Sequence, residues 1–67
     1  MNISRDLLLE RGYEERLVKG QIVFIKGHHA LINLLGLWIP CYYSAGTFLA
    51  DKIWINNMEE LEIIENM

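Results

Sequence analysis

The sequence predicts an α+β domain: a small antiparallel sheet of three or four strands, flanked by a short N-terminal and a short C-terminal helix. Three observations point there. Ile3, Leu7 and Leu8 near one end, and Met58, Leu61 and Ile64 near the other, recur at helical spacing. Between them, QIVFIK, LWIPCYY and FLADKIWI are dense in β-branched and aromatic residues. Gly27, Gly36, Pro40 and Gly46 interrupt that middle often enough to favour turns over one long helix.

The first helix is expected over residues 4–11. Ser4 is its N-cap and Asp6 favours its first turn. Gly12 ends it as a left-handed residue, with Tyr13 folding back onto the last turn. Two turns cannot stand without packing. QIVFIK is the first strand. Gly27 followed by His28 suits a two-residue type II′ hairpin, which sets Ile25 opposite Ala30, Phe24 opposite Leu31 and Val23 opposite Ile32. Gly36 is expected to be a bulge or break. Pro40 removes a ladder donor from LWIPCYY, which favours an edge or a bulge. Residues 44–47 form the next turn and FLADKIWI the last strand. A short helix over HHALINLL, closed by Gly36, is the alternative that periodicity leaves open. The closing helix begins at a capping box, either Asn56 with Glu59 or Asn57 with Glu60.

A chain of 67 residues has room for one domain, spanning residues 1–67, and buries too little to be more than marginally stable. The single cysteine, Cys41, excludes an internal disulfide and points to a reducing, cytoplasmic setting. Six bases stand against nine acids, and the bases are scattered singly. No basic stripe tracks phosphates, so direct nucleic-acid binding is not expected. The opening MNISRDLLLERGYEERLVKG has charges among its leucines and is not a secretory signal.

Residues 27–50 carry no Asp, Glu, Lys or Arg. The length would span a bilayer, but the glycines, Pro40 and the polar His28, His29, Asn33, Ser44 and Thr47 argue for a sheet. His28, His29 and Cys41 are possible metal ligands, yet adjacent strand residues point to opposite faces and no zinc spacing follows. Neither a nucleophile elbow nor a phosphate loop occurs, so no catalytic residue and no cofactor is expected, and the protein is not expected to be an enzyme.

With a tight turn at Ala45 and Gly46, Trp38 and Tyr42 share a face with Leu49 and Ile53. Leu37, Ile39, Cys41 and Tyr43 then share the other with Phe48, Ala50 and Trp54. Both faces are apolar, and two short helices cover one. A second copy of the chain or a partner protein is expected over the other. Trp54 is expected beneath the helices beside Phe48 and Ile39. Trp38 is expected in the association surface, because Pro40 and Asp51 make its side the poorer core.

LLERGY near the start and NNMEELEII near the end resemble short uncharacterised proteins of bacteriophages and integrated elements of gut bacteria. Those combine a helix ending in Gly-Phe or Gly-Tyr, a few strands and a helix with a Glu-Leu pair. GLWIPCYYSAG has no counterpart there. The resemblance implies a small accessory protein and names no activity.

The expected function is therefore protein contact by a self-associating accessory protein, a homodimer or hetero-partner, without membrane attachment. Its contact residues are Trp38, Tyr42, Leu49 and Ile53, with the acidic Glu59, Glu60, Glu62 and Glu65. Those glutamates, uncompensated in sequence, suggest one alternative: an inhibitor that imitates phosphates to occupy a host nucleic-acid-binding defence protein. A single-pass membrane peptide is the second alternative.

Overall fold

The computed structural model describes residues 1–51 and 53–66. Its first helix, α1 (Arg5–Glu10), starts where Ser4 Oγ accepts from the Leu7 amide at 3.3 Å. It stops at Gly12, whose φ is +102°. There the amides of Gly12 and Tyr13 donate to the carbonyls of Leu9 and Leu8, at 3.1 and 3.0 Å, the paired bonds of a Schellman ending. That ending swings Tyr13 under the helix, where it is buried with Leu8. The last helix, α2 (Met58–Glu65), is capped by Asn57, not Asn56: Asn57 Oδ1 accepts from the Glu60 amide at 2.8 Å. Glu60 reaches back to the Asn56 amide at 3.1 Å.

Between the helices run β1 (Glu14–Val18), β2 (Gln21–Lys26), β3 (His29–Leu34), β4 (Leu37–Ser44) and β5 (Thr47–Ala50), neighbours in that order. The sheet thus has five strands where the sequence predicts three or four. The additional strand is β1. Its EERLV lacks a continuous apolar face because an edge strand needs none, and its charges are paired. Arg5 of α1 holds Glu15 through bonds of 2.9–3.0 Å, and Arg16 reaches Glu14 at 3.2 Å. The β2–β3 register is the expected one, with Phe24 opposite Leu31 and Ile25 opposite Ala30. Gly27 alone turns to positive φ there (62°), matching a II′ hairpin. HHALINLL is strand, not helix. Gly36 is no bulge: Leu35 and Gly36, at φ 53° and 85°, make a two-residue type I′ turn between β3 and β4.

The last strand departs most from expectation. β5 pairs with β4 only from Ser44↔Thr47 to Cys41↔Ala50. Beyond that, Asp51 N–H donates to the Pro40 carbonyl at 3.0 Å, but Pro40 has no N–H to return. The ladder breaks at that point. It resumes as a single bridge, Trp38↔Ile55, with Ile55 N–H on the Trp38 carbonyl at 2.8 Å. The unbroken register would have put Ile53 opposite Trp38, so the chain has slipped by two residues. Pro40 therefore acts at a bulge, and the strand expected over FLADKIWI ends at Ala50.

The slip places Ile55, 2% exposed, in the core and leaves Trp54 56% exposed. The expected tryptophan assignment is reversed. Trp38 packs on the main core, its ring 5.7 Å from that of Phe24. Pro40, buried on the same side, proves no obstacle to a core.

Both faces of the sheet are buried in part. Under the helices lie Ile3, Leu8, Tyr13, Phe24, Leu31, Ile55 and Leu61. The other face holds Val23, Ile25, Ala30 and Cys41, edged by Val18, Ile32, Tyr43 and Phe48, with no helix residue among them. Yet Val23 and Ala30 are each only 2% exposed. The cause is curvature. In a flat sheet β1 and β4 lie three strand spacings apart, about 14 Å. Here Val18 of β1 and Tyr43 of β4 pack on the same buried cluster, so β1 and β4 approach each other across this face. The twisted sheet rolls over its own second face. No second copy is required to bury that cluster.

Candidate interaction surface

Two recesses flank Ile64 on α2. The first is a hollow of about 220 Å³ between α2 and the sheet, with Tyr13, Leu31, Pro40, Tyr42 and Leu61 in its lining and His28, His29 and Asp51 also bordering it. Around Tyr13 the two chain ends are fastened together. Glu65 accepts from Tyr13 Oη at 2.5 Å and from Arg11 Nε at 2.7 Å. Burial pushes the Glu65 carboxyl up, but the bonds from Arg11 and Tyr13 outweigh it and hold the group below its ordinary value. Burial, with the Glu65 bond, drives the Tyr13 hydroxyl well above its ordinary pKa. Lys26 lies over the Tyr13 ring, 5.8 Å from its centre.

His28 is fixed as a turn residue. Its Nδ1 lies 2.8 Å from the Tyr43 carbonyl and its ring stacks on Tyr42 at 5.2 Å. His29 lies in β3 opposite Tyr42. Cys41 is buried in the second-face cluster, and burial raises its thiol pKa, which disfavours the nucleophilic thiolate. Among the described residues no group of three or more His, Cys, Asp or Glu is placed to hold a metal ion.

The second recess is shallow and apolar, lined by Ile53, Trp54, Ile55, Ile63 and Ile64, with Glu60 at its border. Ile53, Trp54 and Ile63 are more than half exposed there. Tyr42 and Leu49, cross-strand partners on β4 and β5, are 51% and 63% exposed. Of the four apolar residues expected at a contact surface, Tyr42, Leu49 and Ile53 are thus open to solvent. Trp38 is not. Trp54 and Ile63 take its place: a two-residue slip keeps the alternation, so Trp54 stays on the face opposite Trp38, and it is Trp38's face that the helices cover. Leu34, Leu35 and Leu37 form a further exposed apolar tip at the β3–β4 turn.

The acidic residues do not form one free face. Glu59 pairs with the Met1 amino group at 3.1 Å, Glu60 is engaged at the helix cap, and Glu65 is tied to Arg11 and Tyr13. Glu62 remains exposed. The expectation of an uncompensated acidic run is corrected: the compensating groups come from the other end of the chain, 54 positions away for Arg11.

Residues 27–50, uncharged throughout, are three strands and their turns. Among the described residues no helix is long and apolar enough to cross a membrane. The architecture is that of a small α+β domain built on an antiparallel meander. Compared with protein-family models, with curated proteins and with solved structures, the chain matches none.

Proposed function

We propose that this is a non-enzymatic protein that acts by protein contact and associates with itself, in the cytoplasm. The observation that carries the reading is the exposed apolar set Tyr42, Leu49, Ile53, Trp54 and Ile63. Folding leaves these side chains in water, and a contact would remove them from it. Trp and Tyr contribute most to such contacts, because they offer large area with few rotors. The likeness of the chain ends to short phage and mobile-element proteins supports an accessory role. Cys41, unpaired and protonated, suits a reducing compartment.

Sedimentation velocity on the whole chain tests the reading. The expected result is a concentration-dependent rise from monomer to dimer. A strictly monomeric species at high micromolar concentration overturns it.

A further inference from the structure

The sheet has two edges, and they differ in chemistry. β1 presents Glu14, Glu15 and Arg16, with Arg5 of α1 fastened alongside. β5 presents Thr47, Phe48, Leu49 and Ala50, without a charge or a proline, and among the described residues no strand pairs with its outer side. An uncharged edge is an open template for another strand.

We infer that β5 pairs antiparallel with β5 of a second copy, about a twofold axis passing through Leu49. The inference rests on the proposed self-association and assigns it a contact. Its basis is the hydrogen-bond phase of the β4–β5 hairpin. Ser44 and Thr47 flank a two-residue turn at Ala45 and Gly46, and such a flanking pair exchanges both backbone bonds. The same phase recurs two residues on at Tyr42↔Leu49, and again at Asp51, whose amide bonds the Pro40 carbonyl. Thr47, Leu49 and Asp51 therefore direct their backbone groups toward β4. Phe48 and Ala50 direct theirs outward. Among the described residues neither has a hydrogen-bond partner outside the sheet ladder.

A twofold axis perpendicular to the sheet keeps each face on its own side, so paired residues must sum to an even number. Centring the axis on Leu49 sets Phe48 opposite Ala50 of the second copy, and Ala50 opposite its Phe48. All four outward groups of each strand then bond, and the phase matches without adjustment. Leu49 meets its own copy as a non-hydrogen-bonded pair, the closer of the two antiparallel spacings. A register centred on Phe48 also bonds Phe48 to itself, but it sets Ala50 against Gly46 in the turn and wastes half the donors. β1 cannot form the equivalent contact as readily: its outward residues are Glu15 and Leu17, so the axis falls on Arg16 and sets it against its own copy. Pairing ends at Asp51, where the chain leaves the strand line.

Disulfide trapping in a glutathione buffer tests the contact. Leu49→Cys places two thiols at the axis, about 4.5 Å apart between Cα atoms, within disulfide reach. Thr47→Cys places them about 13 Å apart, out of reach. The unmodified chain, whose Cys41 is buried, is the blank. The expected result is a covalent dimer for Leu49→Cys alone. In parallel, Leu49→Lys brings two ammonium groups to the axis and weakens association by about tenfold or more, whereas Leu17→Lys on β1 leaves it unchanged. A dimer in sedimentation with no Leu49→Cys trapping, or with equal trapping of Thr47→Cys, overturns this contact and leaves self-association standing. A chain that stays monomeric overturns both.

Discussion

Phe24 and Val23 are adjacent on one strand and both are nearly inaccessible, at 4% and 2% exposure, yet different structures hide them. Phe24 lies under two helices that had to be brought from opposite ends of the chain. Val23 is hidden by the sheet itself, whose five strands each contribute a side chain around it. Helix cover needs side chains remote in sequence, and is held by point contacts such as Arg11 with Glu65 and Asn2 with Asn57. Curvature needs only neighbouring strands and tight turns. A five-stranded meander can therefore bury a second apolar face within 67 residues, which helices of six and eight residues could not do alone.

Four substitutions sharpen this comparison. Phe24→Ala should cost about 3–5 kcal/mol, against a total of about 3–10 kcal/mol for so short a chain. Circular dichroism should show it largely unfolded at 37 °C. Val23→Ala removes less side chain, and about 2 kcal/mol is expected in urea titration. A negligible cost there would mean that the second face is no core, and the contrast would collapse.

Glu65→Gln probes the clamp on the helix-covered face alone, with an expected loss of about 1–2 kcal/mol at neutral pH. Its folded pKa lies below the ordinary value, so its contribution is present above that ordinary value, near pH 4.3, and is lost as pH falls through the folded value. Titration from pH 6 to pH 3 should show a shallower acid loss for Glu65→Gln than for the parent. Hydrogen exchange in acid should open α2 before the amides around Val23. Simultaneous opening would show that the two faces are one cooperative unit. Trp54→Ala, outside both clusters, should change stability by less than about 0.5 kcal/mol while weakening association in sedimentation. If it unfolds the chain, the exposed position assigned to Trp54 is wrong.

Much was determined by local sequence. Ser4, Gly12 and Asn57 set helix ends by bonds within a few residues, and those signals need no tertiary partner. Gly27 and Gly46 set turns, and with them the β2–β3 register and the first four pairs of β4 with β5. The strand β1 was hidden because an edge strand can be charged. Tyr42 and Leu49 are open although they share Trp38's face, which the helices cover, so alternation set their face but not their exposure, and Trp38 and Trp54 were exchanged.

What only the tertiary structure decided is which face the helices cover and what becomes of the charges. Alternation separates two faces but cannot say which is capped, since that depends on where the helices land. The missing Pro40 donor signalled a bulge, yet the length of the slip follows from how Ile55 seats in the core beside Trp38. Glu59 and Glu65 of α2 read as unpaired in the sequence because their partners, Met1 for the one and Arg11 and Tyr13 for the other, stand at the other end of the chain. Local hydrogen bonds are written in neighbouring residues, whereas cover, curvature and long-range ion pairs exist only once the chain has closed on itself.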